Sequence, residues 1–212
     1  MERHARLAMW SAGFLAGVAV LLGLGPAGSL LPLAQAQVAC GAVLGPGGST
    51  TLQANVGPCD GTAPALTLNG HNLRMNNFAV FCQDLNDDHV LPTGIVMAGR
   101  AAEVRQGTVT GCKNGVTVSG MGGHKVGDMT VTDNKRDGIL VDSDNNLLRN
   151  ITANGNGING IHINILGQNN RVYDSTALGN QGTDLVDDNP NCDKNQWVNS
   201  SPSSSRSKGC IH

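Results

Sequence analysis

Large rings are almost missing from this chain. Aromatic residues make up 3% of its 212 positions, and only Phe78, Phe81, Tyr173 and Trp197 stand beyond the first 36 residues. That scarcity excludes a core built from big side chains and a sugar cleft paved with aromatic platforms. Charge is scarce as well, at 14% of residues, with a formal net charge of −2. There is no basic stripe of the kind nucleic acid requires and no polybasic cluster for a lipid surface, so neither partner is expected. The absence of any Cys-x-x-Cys pair argues against a thiolate metal site. No stretch repeats apolar residues at helical spacing between caps, which excludes a helical fold. Past residue 36, no apolar run is long enough to span a membrane.

What fills the chain instead is Gly, with 29 residues, together with Asn, Thr and Ser. Such a chain must rely on backbone hydrogen bonds and stacked small side chains, which favours an all-β architecture. The N-terminus has the form of an export signal: Arg3, His4 and Arg6, then an apolar run from Leu7 to Leu24, Pro26, and Ala34-Gln35-Ala36 as a cleavage site. Residues 1–36 are therefore assigned to a signal peptide and Gln37 to the mature start, with an uncleaved anchor as the alternative. The mature protein is expected outside the cytoplasm, secreted or periplasmic, without membrane attachment and as a monomer. All six cysteines, Cys40, Cys59, Cys82, Cys112, Cys192 and Cys210, follow that point. An even count in an exported chain points to disulfides, with fifteen possible pairings. Proximity suggests Cys40–Cys59, Cys82–Cys112 and Cys192–Cys210.

The chain nearly repeats itself. Val104, Val126, Leu148 and Val172 form one column, at spacings of 22, 22 and 24. Thr108-Val109, Thr130-Val131, Thr152-Ala153 and Thr176-Ala177 keep the same spacings, and Cys112, Asn134, Asn156 and Asn180 do so again. Ile95, Val116, Ile139 and Ile161 form another column, each preceded by Gly. Within a unit, "GVTV", "GILV" and "GIHI" alternate inward and outward residues, as strands do. Asn, Asp and Gly between them accept turn geometry. A unit of this length with short strands and turns is one coil of a β-solenoid, and stacking the coils buries the Val and Ile columns. The Asn column is then expected to form an amide ladder. The leucine-rich frame of a rival repeat is not present. The chain divides into an N-terminal cap at 37–65, repeats at 66–182 making about five coils, and a C-terminal cap with a Ser-rich loop at 183–212.

The segments "LTLNGHNL", "VRQGTVTGCKNGV" and "RNITANGNGINGIHI", with the closing "TDLVDDNPNCDKNQWVNS" and "CIH", resemble the right-handed parallel β-helix proteins of the pectin-lyase-like superfamily. The resemblance spans nearly the whole mature chain and implies that fold. The fold hosts lyases, hydrolases, epimerases and adhesins, so it does not name an activity. Relatives that cleave pectate carry acidic calcium ligands and an Arg base on one outward strand face. Here the outward columns read Val96, Thr117, Leu140, His162 and Ala98, Ser119, Asp142, Asn164, with no Arg and no adjacent acids.

The sharpest departure from the repeat is "CQDLNDDHVLPTG". Asp84 and Asp88 are calcium candidates, since Asp84-x-Asn86-x-Asp88 begins like a calcium loop, although no Glu closes it. Asp88 and His89 are the acid–base candidates; some alginate-modifying relatives carry Asp-Pro-His, and this chain lacks the Pro. "DSDNN" and "DLVDDN" raise the calcium question again, and both suit coil corners. His162 is expected to be a lone surface side chain, His71 a structural one, and the methionines at 75, 97, 121 and 129 core fillers. The expected function is that of an exported, non-catalytic surface or matrix protein binding polysaccharide. The alternative is a lyase or epimerase on acidic polysaccharide. No cofactor is expected beyond calcium.

Overall fold

The computed structural model describes residues 37–203, 205–206 and 209–211, with backbone alone for 205–206. The leader assigned to residues 1–36 and part of the Ser-rich run lie outside the described residues. Short parallel strands stack along one axis. The first sheet runs through β1 (Ala42–Leu44), β4 (Leu66–Asn69), β7 (Ile95–Ala98), β9 (Val116–Val118), β11 (Ile139–Val141), β13 (Ile161–Ile163), β16 (Leu185–Asp187) and β19 (Ser205–Arg206). The second runs through β2 (Ser49–Thr51), β5 (Asn72–Arg74), β8 (Glu103–Thr110), β10 (Lys125–Thr132), β12 (Leu147–Thr152), β14 (Arg171–Tyr173) and β17 (Gln196–Val198). Its far flank adds β3 (Val56–Cys59), β6 (Ala79–Cys82), β15 (Thr176–Ala177) and β18 (Ser201–Pro202). A single 3-10 turn, Cys192–Lys194, is the only helical element among the described residues.

The pairing register reproduces the sequence columns. Val104 pairs Val126, Val126 pairs Leu148, Leu148 pairs Val172, and Val172 pairs Trp197. Ile95, Val116, Ile139 and Ile161 pair in the same way, and Leu66 and Leu185 extend their column on either side. All these side chains are buried, and Trp197 closes the C-terminal end of the core at 5% exposure. Met75, Met97 and Met129 fill the core, while Met121 is exposed.

The solenoid makes about seven turns rather than five. The extra rungs come from both ends, where β1 to β3 and β16 to β19 pair with the regular coils. Their connecting loops depart from the usual length, so a count made from the period overlooks them. A strand joins a stack by backbone bonding, which does not require a constant loop.

Two amide ladders run inside the corners. In the first, Asn134 Nδ2 donates to Asn156 Oδ1 and Asn156 Nδ2 to Asn180 Oδ1, both at 3.0 Å, and Asn180 Nδ2 ends on Asp184 Oδ1 at 2.7 Å. The second is not apparent from the repeat columns alone. His124 N donates to Asn146 Oδ1 at 2.9 Å, Asn146 Nδ2 to Asn170 Oδ1 at 2.9 Å, and Asn170 N to Asn195 Oδ1 at 2.8 Å. Each member sits two residues before the Val126–Trp197 column. These side chains supply bonds that the turning backbone cannot make to itself.

Disulfides join Cys40 to Cys59, Cys82 to Cys112 and Cys192 to Cys210, the pairs that proximity suggests. The first lies on the opening coil, the second straddles the loop after β6, and the third ties the C-terminal segment to the 3-10 turn.

Candidate functional site

The loop after β6 holds the acidic candidates. Asp84, Asp87 and His89 have ligand atoms within 4.8 Å of one another, and so do Asp60, Asp84 and Asp88. Oxygen-rich groups of this kind suit a hard cation. The carboxylates also hold the loop together. Asp60 Oδ2 accepts Leu85 N at 3.1 Å and Asn86 Nδ2 at 2.8 Å, Asp84 Oδ2 accepts His89 N at 2.8 Å, and Asp88 Oδ1 accepts Val90 N at 2.9 Å. His89 Nδ1 lies 3.4 Å from Asp84 Oδ2 with its side chain 88% exposed. The imidazole thus faces Asp84, while the Asp88 carboxylate caps the backbone of Val90. Asp60 belongs to the preceding coil and carries no local motif, which is why the sequence does not point to it.

A denser cluster lies on the outer face of the first sheet. β11, β13 and β16 place Leu140, His162 and Val186 in one outward column. The residues that follow these strands, Asp142, Asn164 and Asp188, stack as the next column. His162 is not a lone surface residue. Its Nε2 lies 2.9 Å from Asp188 Oδ2, and its Nδ1 lies 3.6 Å from Asp137 Oδ2, just beyond hydrogen-bonding distance. Its side chain is only 17% exposed. Asp137 is held from below, accepting Asn159 Nδ2 at 2.8 Å and Asn159 N at 3.2 Å through Oδ1. Asn164 Nδ2 donates to Asp142 Oδ1. Burial works against a charged imidazole, but Asp137 and Asp188 outweigh it and raise the His162 pKa. Burial raises the Asp142 pKa, with His162 opposing and Asp137 adding to the shift. The outward columns reveal this group only if they are continued beyond Asn164 to Asp188, past the point where the regular period ends.

Asp142 also borders a groove along the adjoining corner. One stretch of about 380 Å³ is lined by Arg100, Met121, Asp142, Asp144, Asn145 and Leu166, among others. A second, of about 560 Å³, is lined by Asp144, Asn145, Gln168, Asn169, Asn191, Asp193 and Lys194. Asp144 and Asn145 belong to both, so the two form one polar trough crossing successive coils. Asp144 Oδ1 accepts Gln168 N at 2.8 Å and Asn169 Nδ2 donates to Asn145 Oδ1 at 2.5 Å, which fixes the trough floor. The "DSDNN" segment therefore forms the groove and, through Asn146, part of a ladder. In "DLVDDN", Asp187 Oδ2 accepts Trp197 Nε1 at 3.2 Å and Asp187 Oδ1 accepts Asn189 Nδ2 at 2.9 Å, closing the core end.

These features define a disulfide-bonded parallel β-solenoid with a polar trough and a charged cluster on one flank. Residues 93–203 match the family model described as right handed beta helix region, and the chain belongs to that family. The fold is consistent with the pectin-lyase-like superfamily. No curated protein and no solved structure matches the chain. Three disulfides suggest an oxidising setting outside the cytoplasm. No helix among the described residues is long and apolar enough to cross a membrane.

Proposed function

We propose that this protein binds a linear, hydroxyl-rich polysaccharide along the trough beside the first sheet, as an exported surface or matrix protein. The supporting observation is the continuity of the trough through Asp144 and Asn145 across successive coils. A parallel solenoid repeats its corner at each rung, about 4.8 Å apart, so a polymer laid along the axis meets similar amides and carboxylates at regular intervals. Asn145, Gln168, Asn169 and Asn191 offer both donors and acceptors, as hydroxyl groups require. Shallow polar sites of this kind bind by many modest contacts rather than by one deep anchor.

Affinity electrophoresis of the chain from Gln37 onward, in gels containing glucan, xylan or pectate, tests this reading. At least one polymer should retard the protein. Gln168→Ala and Asn191→Ala should each weaken the retarding interaction about tenfold, equivalent to about 1.4 kcal/mol. Unretarded migration with all polymers, or equal retardation of both variants and the wild type, would discard it. A second reading, catalysis on the bound polymer, is favoured by the charged cluster around His162.

A further inference from the structure

Exposed aliphatic side chains are ordinary when they are scattered singly. Here two large ones flank a single stretch of the trough. Met121 is 68% exposed and Leu166 66%, and both line the stretch that Arg100, Asp142, Asp144 and Asn145 also line. Met121 follows β9, Asp144 and Asn145 follow β11, and Leu166 follows β13, so these positions stand on successive rungs of the first sheet. At about 4.8 Å per rung, Met121 and Leu166 are separated by roughly 9.5 Å along the axis, with a carboxylate and an amide between them. Among the described residues, no Phe, Tyr or Trp lines either stretch. The flat C–H faces of plain sugar rings, which suit aromatic platforms, find none here.

We propose that the trough selects a neutral, β-1,4-linked polymer of N-acetylated hexosamine, with Met121 and Leu166 as the specificity-determining residues that receive the acetamido methyl groups. This rests on the trough being the polymer site. An acetamido group needs an apolar contact for its methyl, an acceptor for its N–H and a donor for its carbonyl. The Met121 thioether chain and the branched Leu166 side chain provide the first. Asp144 Oδ1 already accepts Gln168 N, which leaves Oδ2 to accept from the ligand. Asn145 Oδ1 already accepts Asn169 Nδ2, which leaves the Asn145 amide nitrogen to donate.

The spacing agrees with the linkage. In a β-1,4-linked chain each sugar is turned over relative to the last, so acetamido groups return to the same side at every second sugar. Two rungs of the solenoid are close to the length of one such disaccharide. Met121 and Leu166 therefore meet methyl groups on one side of the polymer while the group between them turns away. Each contact removes apolar surface from water, which a hydroxyl at the same sugar position cannot do. The charges agree as well. Asp142, Asp144 and Asp193 line the trough against Arg100 and Lys194, so a polyanion meets an excess of carboxylate.

Affinity electrophoresis of the chain from Gln37 onward tests this with glycol chitin and hydroxyethyl cellulose, which share the linkage and differ in the acetamido group. Chitosan and acetylated xylan complete the set. Glycol chitin should bind about tenfold more tightly than hydroxyethyl cellulose. Met121→Ser and Leu166→Ser, checked for folding by thermal melting, should each shrink that preference about threefold, and the double variant should abolish it. A merely structural role would weaken retardation by both polymers alike. Equal retardation by glycol chitin and hydroxyethyl cellulose overturns the acetamido selection and leaves the binding reading intact, as does a preference that survives in the double variant. Chitosan bound as tightly as glycol chitin would replace methyl recognition by charge attraction, and acetylated xylan bound as tightly would replace the amide by an ester. Either result overturns the proposal. No retardation by any of the polymers overturns both readings.

Discussion

His124 and His162 have the same side chain and opposite electrostatics. His124 is fully buried at a corner, where Nδ1 accepts Ala102 N at 3.1 Å and Nε2 meets Ser119 O at 2.6 Å. Since the Ala102 N–H must be the donor, the ring proton sits on Nε2 and the ring is neutral. Burial lowers its pKa from the ordinary 6.5. His162, facing Asp137, Asp142 and Asp188, has its pKa raised from the same value. The signs then separate. Below pH 6.5 the unfolded chain takes up a proton that folded His124 refuses, so stability falls as pH drops towards its lowered pKa. The stabilisation from His162 is complete below 6.5 and is lost as pH rises through its raised pKa. Melting temperature against pH should therefore peak near the ordinary histidine value. His162→Asn should flatten the alkaline side of the curve, and His124→Asn the acidic side. A curve unchanged in both variants would show that neither ring titrates differently on folding.

The elements stack because glycine repeatedly stands at the approach to the first sheet. A Cβ on Gly115 would collide with Val131 and would sit 2.6 Å from Gly138 O and 2.8 Å from Asn134 Nδ2. The clash is with backbone and a ladder amide, which cannot step aside. Gly115→Ala should cost about 1–3 kcal/mol by overpacking, measurable by denaturant unfolding, whereas Ala at the open Gly45 position, which has no left-handed φ, meets no atom within 4 Å. This glycine column was legible in the sequence because it keeps the same phase as the Ile and Val columns. The strands, their inward faces and the Asn134–Asn180 ladder were legible for the same reason. The ladder through Asn146, Asn170 and Asn195 was obscured because histidine replaces asparagine at its first member. The His162 group was obscured because Asp137, His162 and Asp188 come from three coils and different columns. A period identifies what stacks, but charges that meet diagonally across rungs leave no period. The acidic loop after β6 was conspicuous for the opposite reason: it interrupts the repeat, and the structure brings Asp84 and Asp88 together with Asp60 while these carboxylates also bond within the loop.

At the scale of the whole molecule, each coil touches only its neighbours, so stability is approximately a sum of coil and interface terms and unfolding starts at the ends. The disulfides are placed accordingly. Cys40–Cys59 reinforces the first coil, Cys192–Cys210 the last, and Cys82–Cys112 the coil carrying the longest interruption. Closing loops of 18 to 30 residues contributes about 3 kcal/mol each in the chain-entropy picture. Replacing both Cys192 and Cys210 by Ser should therefore not loosen the molecule evenly. Amide hydrogen exchange should accelerate in β16 and β17, with a smaller effect in β13 and β14 and almost none in β7 to β9. Trp197 fluorescence should report the same local opening at a lower denaturant concentration than the unfolding of the central coils. Uniform acceleration through all the rungs would mean that the solenoid unfolds as one cooperative unit. The charged flank would then depend on the C-terminal staple, because Asp188 lies on the outermost coil of the cluster and its partner His162 one coil further in.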